Sequence, residues 1–373
     1  MQIRVAIVFK SFASWTGISH IGLNVVAITN ARYLSHNGIS TVVFPVRHNI
    51  DLVEYIDEYN RERPHPLTHV VINAPWLNSF EMRELITHYP DIQFIIQCHS
   101  NVGFLQADPW GTQAFRAAIA LSKEFKNIHV AGNDERFVDW AIAAYKHEVL
   151  LLPNLYTLYP LSRKATYHGV GVIKVGSFGA IRPQKNFMTA AGAAIVIHNV
   201  LKAPLEFHIS AGGEGDGGVV TMSIEHMLSE VPGIKLVKHG WLEWEHFVEL
   251  VGEMDLLIQP SYTESFCMVT ADGILVGVPS VVSSAITWAP DSWKADSDNA
   301  LDVADVGLSL IGNEPAWRLG YSALEKHNVK GFNLWKSYLC GPEPSCISRF
   351  VKAVKDLFSW RDKEKGDGIP RVS

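Results

Sequence analysis

The feature that most constrains the fold is an alternation of short β-branched runs with segments of helical period along most of the 373-residue chain. In the first half the runs are VAIVF at 5–9, TVVFPV at 41–46, HVVINA at 69–74, QFIIQC at 93–98, NIHVAG at 127–132 and EVLLLP at 148–153. Between the first two lies GLNVVAITNARYLSHNG, which is apolar at helical spacing and ends at Gly38, and this predicts a helix with a C-terminal stop. Such a series predicts a parallel sheet with helices on both faces.

The alternation breaks off once and then restarts. Residues 156–171, YTLYPLSRKATYHGVG, carry a proline, a basic pair and glycines, so this segment is the predicted linker and hinge. Strands are predicted again at 172–178, 205–210, 234–240, 254–260 and 279–284. Because the chain exceeds the size at which one core keeps growing, we expect an α/β protein with two doubly wound, Rossmann-like domains that face a cleft. The predicted domains are residues 1–160 and 161–344, with a helix near 345–362 that packs back on the first.

Composition narrows the classes of partner. A formal net charge of -6 gives no global attraction to nucleic acid or to anionic lipid. No apolar stretch reaches the roughly 18 residues that a membrane span needs, and the opening apolar run is too short for a secretory signal, so we expect a soluble, cytoplasmic protein. The four cysteines lack CxxC spacing, so we expect neither a structural zinc site nor a disulfide.

Two acidic residues stand eight positions apart in PSYTESFCMVTADGILVGVPSVVSS, residues 260–284: Glu264 and Asp272. On one helix they would be separated by about 12 Å, whereas the carboxylate pairs of glycosidases lie about 5 to 9.5 Å apart. The interval therefore favours a pair that serves two ends of one elongated ligand. The alternative is a loop acid followed by a solvated acid in the first turn of a helix. That helix is predicted to begin at TADGILVG, with N–H groups near 271–274 that form an anion site.

A second motif is VGSFGAIRPQKN, residues 175–186, in which Arg182 and Lys185 stand between a predicted strand and a predicted helix. Two cations beside a helix start suit a diphosphate; a solvated basic turn is the alternative. The glycine-rich SAGGEGDGG, residues 210–218, lacks phosphate-loop spacing, so a flexible turn is the simpler interpretation. His99, which ends a predicted strand, is either a ligand contact or an ordinary strand-end histidine.

Together these motifs resemble the retaining GT-B glycosyltransferases of family 4, and the resemblance covers most of the chain. Residues 260–284 follow the family's signature of two glutamates, which is the most specific part. GSFGAIRPQKN is similar to its phosphate turn, AGGEGDGG to its glycine turn, and QCHSN to the histidine that ends the fourth strand of its first domain. The opening strand and the loop with Gly17 and Gly22 fit its first strand–loop–helix unit.

The resemblance implies a nucleotide-diphosphate sugar as donor, with no further cofactor and no metal. Asp296 and Asp298 lie in a polar loop and form no convincing metal motif. By motif match, Glu264 would contact the donor sugar, Asp272 the ribose hydroxyls and Lys185 the diphosphate, while His99 would approach the transferred sugar. The implied reaction retains the configuration, and the leaving phosphate accepts the proton of the acceptor.

Further donor-site residues implied by the resemblance are Arg182, Gly17, Ser265 and Phe266. The chain departs from the family at three of its site positions. Asp272 is one methylene shorter than the family's second glutamate, Arg182 lies closer to Lys185 than the family's arginine does, and Ser265 replaces a glycine. The ribose contact and the arginine assignment are the two roles that these departures put in question.

Three alternatives stay open: a nucleotide-sugar epimerase of the same fold, a non-catalytic nucleotide-sugar-binding protein, and a glycosyltransferase that acts on a modified DNA base. The acidic first domain speaks against DNA. The acceptor is not predicted; a glycan, a lipid-linked sugar, a small molecule and a modified nucleobase are all compatible with the sequence. Trp15, Phe104 and Trp110 are candidates to stack on an acceptor sugar, or else they pack within the fold.

Overall fold

A computed structural model describes residues 2–11, 21–158, 171–210 and 217–341. The first half forms a six-stranded parallel sheet with the strand order β2-β1-β3-β4-β5-β6. Its strands are β1 (Arg4–Lys10), β2 (Ser40–Val46), β3 (His69–Asn73), β4 (Gln93–Cys98), β5 (Ile128–Gly132) and β6 (Leu150–Leu151).

The second half forms a five-stranded parallel sheet with the order β11-β10-β7-β8-β9. Its strands are β7 (Ile173–Ser177), β8 (Leu205–Ser210), β9 (Ile234–His239), β10 (Leu256–Gln259) and β11 (Ser280–Val282). All eleven strands predicted from the β-branched runs are present, so the predicted two-domain α/β fold is confirmed.

Helices cover both sheets. Around the first sheet lie α1 (Ile21–His36), α2 (Asn49–Glu62), α3 (Ser79–His88), α4 (Val102–Leu105), α5 (Pro109–Glu124) and α6 (Glu135–Tyr145). Around the second lie α7 (Phe187–Leu201), α8 (Gly217–Ser229), α9 (Trp244–Val251), α10 (Met268–Leu275) and α11 (Ala300–Leu310), and α12 (Glu314–Cys340) follows. Short 3-10 helices span Pro183–Lys185 and Asp291–Trp293. Among the described helices, none is both long and apolar enough to cross a membrane.

Helix α1 ends where the sequence predicts, because Gly38 has a φ of 87° that glycine adopts without strain. The start of α10 was predicted wrongly: the helix begins at Met268, two residues before the TADGILVG segment. Cys267, with a φ of 66°, ends the preceding loop. The N–H groups predicted near 271–274 therefore belong to helix turns that are already formed, and the first-turn N–H groups are those of Met268, Val269 and Thr270.

Both sheets have a position at which the strand order reverses, and ligands of open α/β sheets bind beside such positions. In the second sheet this position lies between β7 and β10, which pair in parallel. The loop after β7 carries Arg182 and Lys185, and the loop after β10 carries Glu264. The fold thus places the two sequence motifs side by side at the carboxyl edge of the second sheet.

Helix α12 packs against both domains. Leu324 is buried in the core of the second sheet, whereas Trp335 and Leu339 are buried in the core of the first. Trp335 Nε1 donates to the Pro153 carbonyl at 2.9 Å, and Asn328 exchanges two hydrogen bonds with the backbone of Tyr156. The helix predicted near 345–362 and most of the linker predicted at 156–171 lie outside the described residues, and the domain limits stay a prediction.

Candidate functional site

Glu264 and Lys185 form an ion pair between the two loops at the carboxyl edge of the second sheet. Lys185 Nζ contacts Glu264 Oε2, and the side chains are only 23% and 13% exposed. The Ser265 N–H donates to the other oxygen, Glu264 Oε1, at 3.2 Å. Each oxygen of this carboxylate therefore has a partner, and the pair faces the first domain across the cleft.

The loop that carries Lys185 is shaped by two left-handed residues. Gly179 has a φ of 112°, and Asn186, directly after Lys185, has a φ of 58° and precedes α7. The Asn186 side chain is buried and donates to the Pro260 carbonyl at 3.2 Å and to the Ser297 carbonyl. It thereby ties the Lys185 loop to the Glu264 loop. This role of Asn186 was not predicted, although an asparagine between a lysine and the start of a helix is visible in the sequence.

The pKa of Lys185 is raised although burial opposes its charge. Burial alone would lower this pKa, but the negative charge of Glu264, a contribution from Cys267 and the hydrogen bond to Glu264 together raise it above its ordinary value. Lys185 is therefore a permanent cation at the base of the cleft. A buried cation of this kind favours an anionic ligand, and here the Glu264 carboxylate occupies that place.

Arg182 lies in the same loop, three residues before Lys185. Its guanidinium carbon is 4.9 Å from the centroid of the Phe104 ring in the first domain. This is the distance of a cation–π contact. Burial lowers the pKa of Arg182, and the charges of Asp108 and Glu264 oppose the shift. Phe104, a candidate to stack on an acceptor sugar, thus contacts an arginine of the opposite domain.

Asp272 is placed differently from Glu264. Its carboxyl group is 3% exposed, and Oδ1 accepts hydrogen bonds from Tyr156 Oη at 2.6 Å and from Trp244 Nε1 at 3.0 Å. Burial raises the pKa of Asp272 to about 6, and the two hydrogen bonds oppose the rise only in part. The alternative of a solvated first-turn acid is therefore wrong. A ribose contact stays a prediction, and in this structure the side chain binds protein groups.

His99 directly follows β4 and belongs to the first domain. Asn73 Nδ2 donates to the Leu23 carbonyl at 2.8 Å, so the Asn73 Oδ1 atom faces His99 Nε2, 2.7 Å away. This arrangement places the ring proton on Nε2 and leaves Nδ1 unprotonated. Burial lowers the pKa of His99 to about 4, which the nearby Asn154 side chain opposes only in part. The ring is therefore neutral near pH 7.

Ser265 and Phe266 follow Glu264 but have different surroundings. Ser265 Oγ accepts from Asn133 Nδ2 at 3.3 Å and donates to the His99 carbonyl at 3.5 Å, so Ser265 touches the first domain. Phe266 is 2% exposed, and its ring stacks on Trp288 with a centroid distance of 5.3 Å. Its side chain is part of the core, and a donor contact would have to come from its backbone. Gly17 lies outside the described residues.

Several other contacts cross the cleft. Thr263 Oγ1 donates to Asn101 Oδ1 at 2.5 Å. A Cβ atom on Gly103 would lie 2.8 Å from Thr263 Oγ1, so the close approach of α4 to this loop requires glycine. Arg136 of α6 donates to the Glu264 carbonyl, a contact that no pattern in the sequence predicts. Trp110, the other described stacking candidate, is 78% exposed.

The candidate site brings together Arg182, Lys185 and Glu264 of the second domain and the neutral His99 of the first. Among the residues that the structure describes, no group of three or more histidine, cysteine, aspartate or glutamate side chains is placed to hold a metal ion. The independence of the reaction from metals stays a prediction. The loop with Arg182 and Lys185 offers the cations that a diphosphate needs, and the His99 carbonyl accepts a hydrogen bond from Ser265, the neighbour of Glu264.

No protein-family model matches the sequence, and no curated protein matches it either. Solved structures do resemble it. Sucrose-phosphate synthase of Thermosynechococcus elongatus is 15% identical with a TM-score of 0.57, over 96% of this chain and 99% of that one. HepE of Anabaena, solved with UDP, is 12% identical with a TM-score of 0.56, over 90% of this chain and 100% of that one.

TarM of S. aureus, solved as a complex that includes UDP, is 16% identical with a TM-score of 0.55. The match covers 73% of this chain and 54% of TarM, so this chain spans about half the length of that protein. These neighbours are glycosyltransferases of the GT-B fold. At identities this low the likeness concerns architecture, and the protein has the two-domain GT-B fold.

Proposed function

We propose that the protein is a glycosyltransferase that moves a sugar from a nucleotide-diphosphate sugar to an acceptor with retention of configuration. The observation that carries this proposal is the partly buried Lys185–Glu264 pair at the strand-order reversal of the second sheet. The GT-B fold, and neighbours solved with UDP, support a nucleotide sugar as donor. The expected cytoplasmic location is part of the proposal.

Donor binding would exchange one anion for another. In the structure the Glu264 carboxylate neutralises Lys185. A diphosphate carries more negative charge and would take over Lys185, with Arg182 and the free N–H groups at the start of α10 as further donors. Glu264 would then be released toward the sugar, where its charge favours the positive character that develops on the ring.

Bond cleavage would leave negative charge on the diphosphate. Lys185 and Arg182 are placed to stabilise this charge as the anomeric carbon–oxygen bond breaks. The acceptor hydroxyl would attack from the same face, and its proton would pass to the departing phosphate oxygen, so the atoms and charges balance. Asp272, buried against Tyr156 and Trp244, is not placed as a covalent nucleophile.

A thermal-shift panel tests the donor site. UDP, ADP, GDP and UDP-glucose are added to the wild type, to Lys185→Ala and to Lys235→Ala, whose lysine is 71% exposed and lies far along the chain from the site loops. A ligand at 100 times its dissociation constant stabilises by about 2.7 kcal/mol. We expect one nucleotide series to stabilise the wild type and Lys235→Ala but not Lys185→Ala. No shift with any nucleotide would contradict the proposal.

The nucleotide sugar that stabilises the protein in this panel can then be used to distinguish an epimerase from a glycosyltransferase. Incubation of the protein with the stabilising nucleotide sugar alone, followed by mass spectrometry and chromatography of the sugar, distinguishes them. An epimerase converts the donor with no acceptor present, whereas a glycosyltransferase releases the nucleotide diphosphate and needs an acceptor for full turnover. Binding without turnover across an acceptor panel would favour the non-catalytic protein.

A further inference from the structure

Arg136 crosses the cleft from the first domain to the loop that carries Glu264. It is the second residue of α6, and its Nη2 atom donates to the Glu264 carbonyl at 3.0 Å and to the Ala285 carbonyl at 2.9 Å. Both acceptors belong to the second domain and lie on different loops. One guanidinium nitrogen of the first domain therefore holds two loops of the second.

The arginine is itself held in place. Asp134, which is 4% exposed, caps α6 by accepting from the Phe137 N–H at 3.1 Å. The same carboxylate accepts from Arg136 Nε at 3.4 Å, and its Oδ2 atom forms an ion pair with Nη2 at 3.2 Å. A cation in the first turn of a helix is disfavoured by the helix dipole, so the acidic cap compensates for it. The buried carboxylate of Asp134 thus orients the Arg136 side chain.

The two loops that Arg136 joins are also tied to each other. Ser283 Oγ donates to the Ser261 carbonyl and accepts from the Ala285 N–H at 3.2 Å. Within the first of these loops, Glu264 is restrained at three points: Oε2 by Lys185, Oε1 by the Ser265 N–H, and the carbonyl by Arg136. Of these three restraints, the one from Arg136 comes from the opposite domain.

We propose that Arg136 is a positioning residue that latches the Glu264 loop to the first domain and couples closure of the cleft to the orientation of the Glu264 carboxylate. The latch follows from the contacts alone, whereas its effect on turnover rests on the proposed function. Diphosphate binding depends on the second domain and on Lys185. Loss of Arg136 should therefore affect turnover more than nucleotide affinity.

Hydrogen exchange of the ligand-free protein, followed by mass spectrometry of peptides that cover 261–267, tests the latch. The Ser265 N–H donates to Glu264 and reports directly on this loop. We expect several-fold faster exchange in Arg136→Ala than in the wild type. Arg136→Lys, which keeps the charge but not the planar fork, should be intermediate. Arg116→Ala, which changes an exposed arginine of α5 in the same domain, is the matched control. Exchange at the wild-type rate in Arg136→Ala would overturn the proposal.

A second arm measures UDP affinity and the release of UDP from UDP-glucose. A displaced Glu264 should lower kcat by about ten- to hundredfold in Arg136→Ala, with the dissociation constant of UDP unchanged. Equal kcat in the two proteins would overturn the coupling to turnover. If the wild type neither binds UDP nor releases it, the proposed function fails for this donor, while the exchange experiment still decides whether the latch exists.

Discussion

The two acids of the 260–284 segment, Glu264 and Asp272, differ in environment although they stand eight residues apart. Glu264 pairs with a cation at the cleft, and Asp272 is buried against Tyr156 and Trp244. Tyr156 belongs to the segment that leaves the first domain, while Trp244 belongs to α9 of the second. Asp272 therefore joins three parts of the chain. Because these contacts form only in the folded state, the free energy of unfolding depends on whether Asp272 is protonated.

We predict that stability falls as the pH rises from about 4 to 7, in part because of Asp272. Its folded pKa of about 6 lies above the ordinary value of 3.8, so the folded state binds this proton more tightly. The stabilisation is complete below pH 4 and is lost as the pH passes through 6, by about 3 kcal/mol in total. Urea unfolding at several pH values should show this loss in the wild type and not in Asp272→Asn. Asp91→Asn, at an exposed aspartate, is the control, and parallel pH profiles of the wild type and Asp272→Asn would contradict the prediction.

Asn186 has a measurable role at the base of the site. Glycine at this position keeps the left-handed backbone but loses the two buried hydrogen bonds, and should destabilise by about 1 to 3 kcal/mol. Alanine loses the bonds and also strains the φ of 58°, which adds about 1 to 2 kcal/mol. Urea unfolding of both variants tests this order. If Asn186→Ala is as stable as Asn186→Gly, backbone strain does not contribute.

Among the elements, α12 has the most extended role, since its 27 residues pack on the cores of both domains. Its early part lies against the second domain, where Gly320 faces Trp293. Its later part contacts the segment that joins the domains, through Asn328 and Trp335. The helix is therefore a shared support for the two halves of the cleft.

We predict that Gly320→Ala destabilises the protein although alanine is the better helix former. A Cβ atom at this position would lie 2.2 Å from Trp293 Cη2, in a ring that is fully buried. Overpacking of this kind costs about 1 to 3 kcal/mol, which exceeds the gain of about 0.5 to 1 kcal/mol from helix propensity. Gly218→Ala in α8, where nothing lies within 4 Å of the added atom, should be neutral or stabilising. The melting temperatures of both variants, compared with that of the wild type, test this prediction. A Gly320→Ala protein as stable as the wild type would refute the packing argument.

At the scale of the whole molecule, polar contacts cross the cleft between the two domains. They include the hydrogen bonds between Thr263 and Asn101 and between Ser265 and Asn133, and the Arg182–Phe104 contact. Polar interfaces between domains of one chain permit relative motion. A cleft of this type can open to admit a donor and close over it, which excludes water from the reaction.

We predict that UDP makes the protein more compact in solution. Diphosphate binding at Lys185 adds contacts that favour the closed cleft, so small-angle scattering should give a smaller radius of gyration with UDP than without it. Lys185→Ala, which lacks the main phosphate partner, should keep the ligand-free profile at the same UDP concentration. A wild-type profile that does not change at saturating UDP would argue against closure on binding.

The sequence by itself determined the secondary-structure elements, and it predicted a candidate site at the carboxyl edge of the second sheet. Alternating β-branched runs predicted all the strands, because strand and helix periods are local properties of the chain. The Arg182–Lys185 turn and Glu264 were identified because each motif follows a strand at the carboxyl edge of a sheet. The end of α1 near Gly38 was predicted correctly because it depends only on the local backbone, where glycine adopts a positive φ.

Only the tertiary structure decided which side chains meet. Asn73 fixes the ring proton of His99 from another strand, Tyr156 buries Asp272, and Arg136 reaches Glu264 from 128 positions away. No local pattern encodes such contacts, since they depend on how two sheets and α12 pack. The burial that raises the pKa of Asp272 and lowers that of His99 arises from the same packing.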